Sequence, residues 1–168
     1  MRKNLLALVA ILLLSACAST YKPAEYPLRD GLIPAFNVAG TATVSNGQPS
    51  TEPVIVHSYA GSKWRSDLQI ITAAMVQQTT SEIAKNGRRT GGGKAKTIEL
   101  KVHSLSTDYV AFFYKSEIKF QAKLGNGKVS DKAVPHSSGS PMQDLNGCIA
   151  EGVMTLLNDE TVRAYLAG

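Results

Sequence analysis

An α+β two-layer sandwich is the fold this sequence predicts: a mainly antiparallel sheet of about five strands with two helices on one face, in the order ββαβββα. Three observations carry that reading. Apolar and polar residues alternate over 98–103 and 110–124, which is the pattern of a sheet with one dry and one wet face. Two stretches, 62–87 and 140–157, repeat their apolar residues at helical spacing instead. Asn46-Gly47 and Gly125-Asn126-Gly127 are hairpin signals, which favour antiparallel neighbours over crossover connections. The 168 residues suit one domain with additions at its N-terminus.

Taken in order, the chain opens with Arg2 and Lys3, followed by ten uncharged residues from Leu5 to Leu14 and the small pair Ser15 and Ala16 before Cys17. A positive start, a short apolar run and small residues at its end make a cleaved export signal, and the run is too short to span a bilayer. The arrangement Leu14-Ser15-Ala16-Cys17 resembles the bacterial lipoprotein lipobox at every position. That resemblance implies a signal peptide over 1–16, a diacylglycerol on the Cys17 thiol, cleavage that makes Cys17 the mature N-terminus, and a further acyl chain such as palmitate on its amine. Two or more chains make an anchor stable where one does not. Ala18, with no aspartate after the cysteine, implies the outer membrane and its periplasmic face in a Gram-negative host.

Residues 17–36 contain Pro23, Pro27 and Pro34 and read as a lipidated N-terminus and tether, which fully extended would reach up to about 60 Å. The single α+β domain is expected over 37–168. Val38, Gly40, Ala42 and Val44 share one side of a first strand; Val54, Ile55 and Val56 mark a second. From Ser62, the residues Trp64, Leu68, Ile71, Met75 and Ile83 predict a helix of five or six turns ending at Gly87, placed there in a left-handed conformation.

The run Asn86 to Lys96 fails as a phosphate loop, because Arg88 stands where a glycine is needed and Ala95 where a Ser or Thr is needed. It reads as a flexible helix exit that gathers Arg88, Arg89, Lys94 and Lys96 as a contact for anionic lipid or an acidic partner. Ile98, Leu100 and Val102 form the next strand, Ser106-Thr107-Asp108 a turn, and Val110 to Leu124 a long strand with Lys115, Glu117, Lys119, Gln121 and Lys123 on its wet face. Lys128 to Val134 returns as an edge strand. Ser140-Pro141-Met142-Gln143 then opens the last helix with a capping box, whose Gly147 and Gly152 suit close packing on the sheet.

Without Arg2 and Lys3, the 18 basic residues become 16 against 13 acidic ones, a mild excess that calls for no nucleic-acid partner. If Cys17 is acylated, Cys148 has no partner for an intrachain disulfide and reads as a small buried residue. His57, His103 and His136 stand apart, and neither an HExxH pattern, paired-cysteine metal spacing nor a G-x-S-x-G elbow occurs; no metal, cofactor or catalytic residue is expected.

In element order, and in Lys96–Leu105, the glycine turn at 125–127 and Leu157-Asn158-Asp159-Glu160-Thr161-Val162, the domain resembles small proteobacterial envelope lipoproteins of the YajG type, and more loosely the auxiliary lipoproteins of envelope transport systems. The expected function is therefore a non-catalytic accessory or binding module, held to outer-membrane lipid through acylated Cys17. Its face of Lys115, Glu117, Lys119 and Lys123 would meet an envelope protein of a transport or assembly system. A lipid or small-molecule carrier, with Phe112, Phe113 and Tyr114 lining a cavity, and a cell-envelope hydrolase are the alternatives.

Overall fold

A computed structural model describes residues 18–168; Cys17 and the expected export signal lie outside the described residues. The α+β class is found, but the five-strand, two-helix order is not. The described chain forms a seven-stranded sheet, a separate two-stranded sheet and three helices. The strands are β1 (Ala18–Thr20), β2 (Phe36–Ala39), β3 (Ala42–Asn46), β4 (Pro53–Tyr59), β5 (Ser62–Asp67), β6 (Gly87–Thr90), β7 (Lys96–Val110), β8 (Phe113–Leu124) and β9 (Val129–Ser138). The helices are α1 (Leu68–Asn86), α2 (Pro141–Asn158) and α3 (Glu160–Ala167).

The main sheet runs β1-β5-β4-β7-β8-β9, with β3 also paired to β7. At 15 residues, β7 is long enough for two strands to share one of its edges. β3 pairs parallel along Lys96–Leu100, and β4 meets the same edge at Thr107. In the gap between them the backbone N–H of Val102 donates to Thr72 Oγ1 of α1 at 3.1 Å, so a helix hydroxyl completes the ladder. α1 and α2 cover one face of the sheet around Ile98, Leu100, Ile118, Phe120, Leu145 and Ile149; the other face is open.

Each departure from the expected order has a local cause. The single strand over Val38–Val44 is broken at Gly40, whose φ of +73° turns the chain between sheets: β2 pairs with β6 and β3 with β7. Asn46-Gly47 makes no hairpin, because the Asn46 side chain is engaged with Gln69 O and the Gln48 N–H. The β4–β5 turn is at Ala60-Gly61, so Ser62–Asp67 is a strand and Trp64 lies on it rather than at a helix start. α1 begins at Leu68 because the Asp67 carboxylate accepts from Gln69 N at 2.7 Å, an N-cap.

Gly87 is extended, with φ −81° and ψ 123°; glycine is needed there because a Cβ would stand 2.6 Å from Ile83 O. Of the basic run expected to be a flexible exit, Gly87–Thr90 with Arg88 and Arg89 form β6, Lys94 lies in the connection and Lys96 opens β7. The turn expected at Ser106–Asp108 does not exist either. Those residues are polar because Thr107 is bonded inside the fold while Ser106 and Asp108 face water, and the chain reverses instead at Ala111–Phe112.

Residues 21–34, read as a tether, lie along the groove between α1 and α2. The Tyr21 hydroxyl donates to Asn146 Oδ1 at 2.7 Å, Gln78 Nε2 donates to Tyr26 O, Lys85 pairs with Asp30 at 2.7 Å, and Asn158 and Arg163 donate to Leu32 O and Pro34 O. The later half of α1, through Gln78 and Lys85, receives this segment.

Candidate functional site

The residues expected to form a partner surface do share one surface. Lys115, Glu117, Lys119 and Lys123 are exposed on the open sheet face while Ser116, Ile118, Phe120, Ala122 and Leu124 point into the core. The face is internally compensated: Lys119 pairs with Glu117 at 3.0 Å and Lys123 with Glu99 at 3.9 Å, and Gln121 donates to Asp131 on β9 at 3.0 Å. These half-exposed pairs add little to stability. Together they form a mosaic of both signs across β7, β8 and β9.

Arg88, Arg89, Lys94 and Lys96 stand elsewhere, at the end where β7 begins. Arg89 borders an open groove of about 460 Å³ whose apolar wall is Val38, Val44 and Ile83. At about 3.3 Å per residue, the 15 residues of β7 put this basic end roughly 45 Å from the end where β7 turns into β8.

The polar cluster that sequence reasoning missed lies under α2. Asp144 is fully buried; its carboxylate accepts from Thr107 Oγ1 at 2.5 Å and from His136 Nδ1 at 3.0 Å. Ser116 Oγ donates to its backbone carbonyl at 3.1 Å, and His57 Nδ1 donates to Thr107 O at 3.0 Å. Two of the three histidines thus join one network, with Nδ1 carrying the proton because carboxylate and carbonyl oxygens only accept. His103 is on the opposite face, 4.0 Å from Asp131. Among the described residues no three His, Cys, Asp or Glu side chains gather as a metal site would. The one advance signal was an acid in the first turn of α2, and that position is occupied as often for the helix dipole.

His136 borders a second groove of about 460 Å³ with Tyr26, Leu28, Gly147, Ala150 and Glu151. None of these carries a hydroxyl or thiol nucleophile beyond the Tyr26 phenol. Cys148 is fully buried and donates to Val134 O at 3.5 Å; burial pushes its thiol up to about 12, so it stays protonated and inert. Burial also raises the Tyr21 phenol. The network ties α2 to β7, β8 and β9, and its arrangement is that of a fastener.

Cys17 lies outside the described residues, but its neighbour does not. Ala18 begins β1, which pairs parallel with β5 as Ala18–Lys63, Ser19–Trp64 and Thr20–Arg65, and the Tyr21 N–H continues the ladder to Arg65 O at 2.7 Å. The chain is therefore part of the sheet from the first residue after the cysteine.

No family model matches the chain, and no curated protein matches it. Among solved structures, the crystal structure of lipoprotein GNA1162 from Neisseria meningitidis aligns with 73% of this chain and 96% of its own, at 11% identity and a TM-score of 0.31. Neither an activity nor a partner follows from that overlap.

Proposed function

We propose that this chain is a lipid-anchored lipoprotein of the bacterial envelope, acylated at Cys17 and held at the periplasmic face of the outer membrane. There it is a non-catalytic accessory module for an envelope transport or assembly component, docked on the open face around Lys115, Glu117, Lys119 and Lys123. The observation that carries the reading is β1. Because Ala18 is already paired with Lys63, an acylated Cys17 holds the sheet itself at the membrane rather than the end of a long leash. Confinement to a surface raises the effective concentration of the module for a partner in the same membrane. The basic end of Arg88, Arg89, Lys94 and Lys96 stands away from that bilayer, where it meets an acidic surface of the same partner.

Palmitate labelling in cells, N-terminal mass spectrometry and a photocrosslinking residue at position 119 test this together. The expected result is acylated Cys17, loss of the label in Cys17→Ser, and one stoichiometric envelope protein whose capture falls when Lys123→Glu is added. An unmodified Cys17 sinks the anchor; capture that ignores charge reversal sinks the docking face. A second reading, carriage of an anionic amphiphile, is favoured by the groove that joins an apolar wall to Arg89. It predicts a stoichiometric lipid in native mass spectra that Arg89→Glu removes.

A further inference from the structure

The end of the domain where Ala18 enters the sheet carries an apolar surface that neither the proposed anchor nor the open sheet face explains. β1 enters next to Lys63, just past the Ala60-Gly61 turn of the β4–β5 hairpin. The β7–β8 tip lies at the same end, because β4 and β7 run parallel through His57 and Thr107 and the Tyr59 and Tyr109 rings are 4.7 Å apart. β9 finishes there too, with Ser138 opposite Tyr114, and brings Met142 with it. Of the ten large hydrophobic side chains exposed among the described residues, five stand at this one end: Tyr59, Val110, Phe112, Phe113 and Met142. Phe112 is 90% exposed.

The backbone makes this exposure harder to dismiss. Val110 pairs directly with Phe113, leaving a two-residue loop in which Ala111 has φ +44° and Phe112 φ +79°. Such mirror-image turns suit Asn-Gly, and a bulky side chain at positive φ is an outlier that stores strain. Water rewards neither the strain nor the exposed ring. Charge points the same way. Beyond the Asp108–Lys115 pair, the segments that make up this end, 18–20, 59–63, 109–114 and 138–142, add Lys63 and no Asp or Glu. Lys115 Nζ lies 5.8 Å from the centre of the Phe113 ring. Apolar aromatics at a tip, lysines around them and tyrosines behind are the composition of a surface that meets an anionic lipid interface.

We infer that the Ala111–Phe113 tip inserts into the same lipid leaflet that holds the acyl chains of Cys17, with Lys63 and Lys115 at the headgroups. The domain then stands on the membrane at two points, which prevents it from swivelling about its anchor and fixes the direction in which the open sheet face looks. This rests on the acylation of Cys17 proposed above.

The test uses mature acylated protein in vesicles of phosphatidylethanolamine and phosphatidylglycerol. A polarity-sensitive dye is placed at Ala111→Cys, or at Asn126→Cys at the far end; buried Cys148 stays unlabelled. The expected result is a blue-shifted emission at 111 that brominated acyl chains quench, and water-like emission at 126. Adding Phe112→Ser and Phe113→Ser should reduce the quenching several-fold while the protein still floats with the vesicles and keeps its unfolding midpoint. A water-like probe at 111 on acylated, floating protein overturns the inference and leaves the anchor standing. An N-terminal peptide without acyl chains overturns the anchor and the inference with it. A probe at 111 that is wet in vesicles but shielded in cells also overturns it, in favour of a protein partner.

Discussion

Asp144 is fully buried, yet its carboxylate has a hydroxyl on one oxygen and an imidazole on the other. Removing one member of such a set leaves the rest buried without partners. Asp144→Ala is therefore expected to destabilise the domain by about 3 kcal/mol, read as a lowered urea midpoint at unchanged slope. It should also free the His136 ring, seen as a shift of its imidazole NMR signals. Asp159 works at the surface. Lys132 donates to it at 2.6 Å, and it accepts from Thr161 N and Val162 N; the lysine contact and these caps hold its carboxyl below the usual carboxylate range. A group lowered in the folded state contributes stability that is complete above its unfolded pKa and is lost as the pH falls through the folded one. The unfolding midpoint should accordingly fall on acidification below the ordinary carboxylate range, and Asp159→Asn should flatten that part of the profile. Neither partner set was legible in the sequence: the Thr107–Asp144 pair spans 37 residues, and no local pattern encodes so distant a contact.

Elements were legible wherever one face was dry over several residues, as in Ile98–Val102 and Ile118–Leu124. They were misplaced where a turn lacked its usual residues or a turn residue had another task. Gly147 was correctly read as a packing glycine, since a Cβ there would lie 2.5 Å from the His136 ring; Gly152 is less tightly placed, a Cβ there standing 3.3 Å from Met75 and Phe120. The β7–β8 turn escaped notice because Ala111-Phe112 carries none of the chemistry that a two-residue reversal prefers. That mismatch yields a prediction. Phe112→Gly should stabilise the soluble domain, despite the added freedom of the unfolded chain, by about 1 kcal/mol, measured by denaturant unfolding, while weakening contact between the hairpin and lipid. A Phe112→Gly variant less stable than the parent would show that the ring is packed and not presented.

At the scale of the whole molecule, the direction of the strands sets the arrangement. β1 and β5 lead away from the end where Ala18 enters the sheet and β7 leads back to it, so the aromatic tips gather at that end and the basic loop goes to the far one. Ten Gly and Ser residues inserted between Cys17 and Ala18 would add a random-coil span of roughly 17 Å. Acylation and unfolding midpoint should be unchanged, whereas quenching of a probe at position 111 by brominated lipid should fall. An unchanged quench would mean that the tip binds lipid tightly enough to need no neighbouring anchor.

The sequence by itself determined the α+β class, the one-sided strands and the Ser140 cap of α2, because each is written in neighbouring residues: a period of two or of 3.6, or a cap within one turn. Only the tertiary structure decided that β3 and β4 share one edge of β7, that residues 21–34 lie between the helices, and that His57, Thr107, Asp144 and His136 meet. It alone placed the five exposed apolar side chains at the end where β1 begins. Pairing partners and burial depend on segments far apart in the chain whose association is chosen by packing, and that choice is made by the fold as a whole.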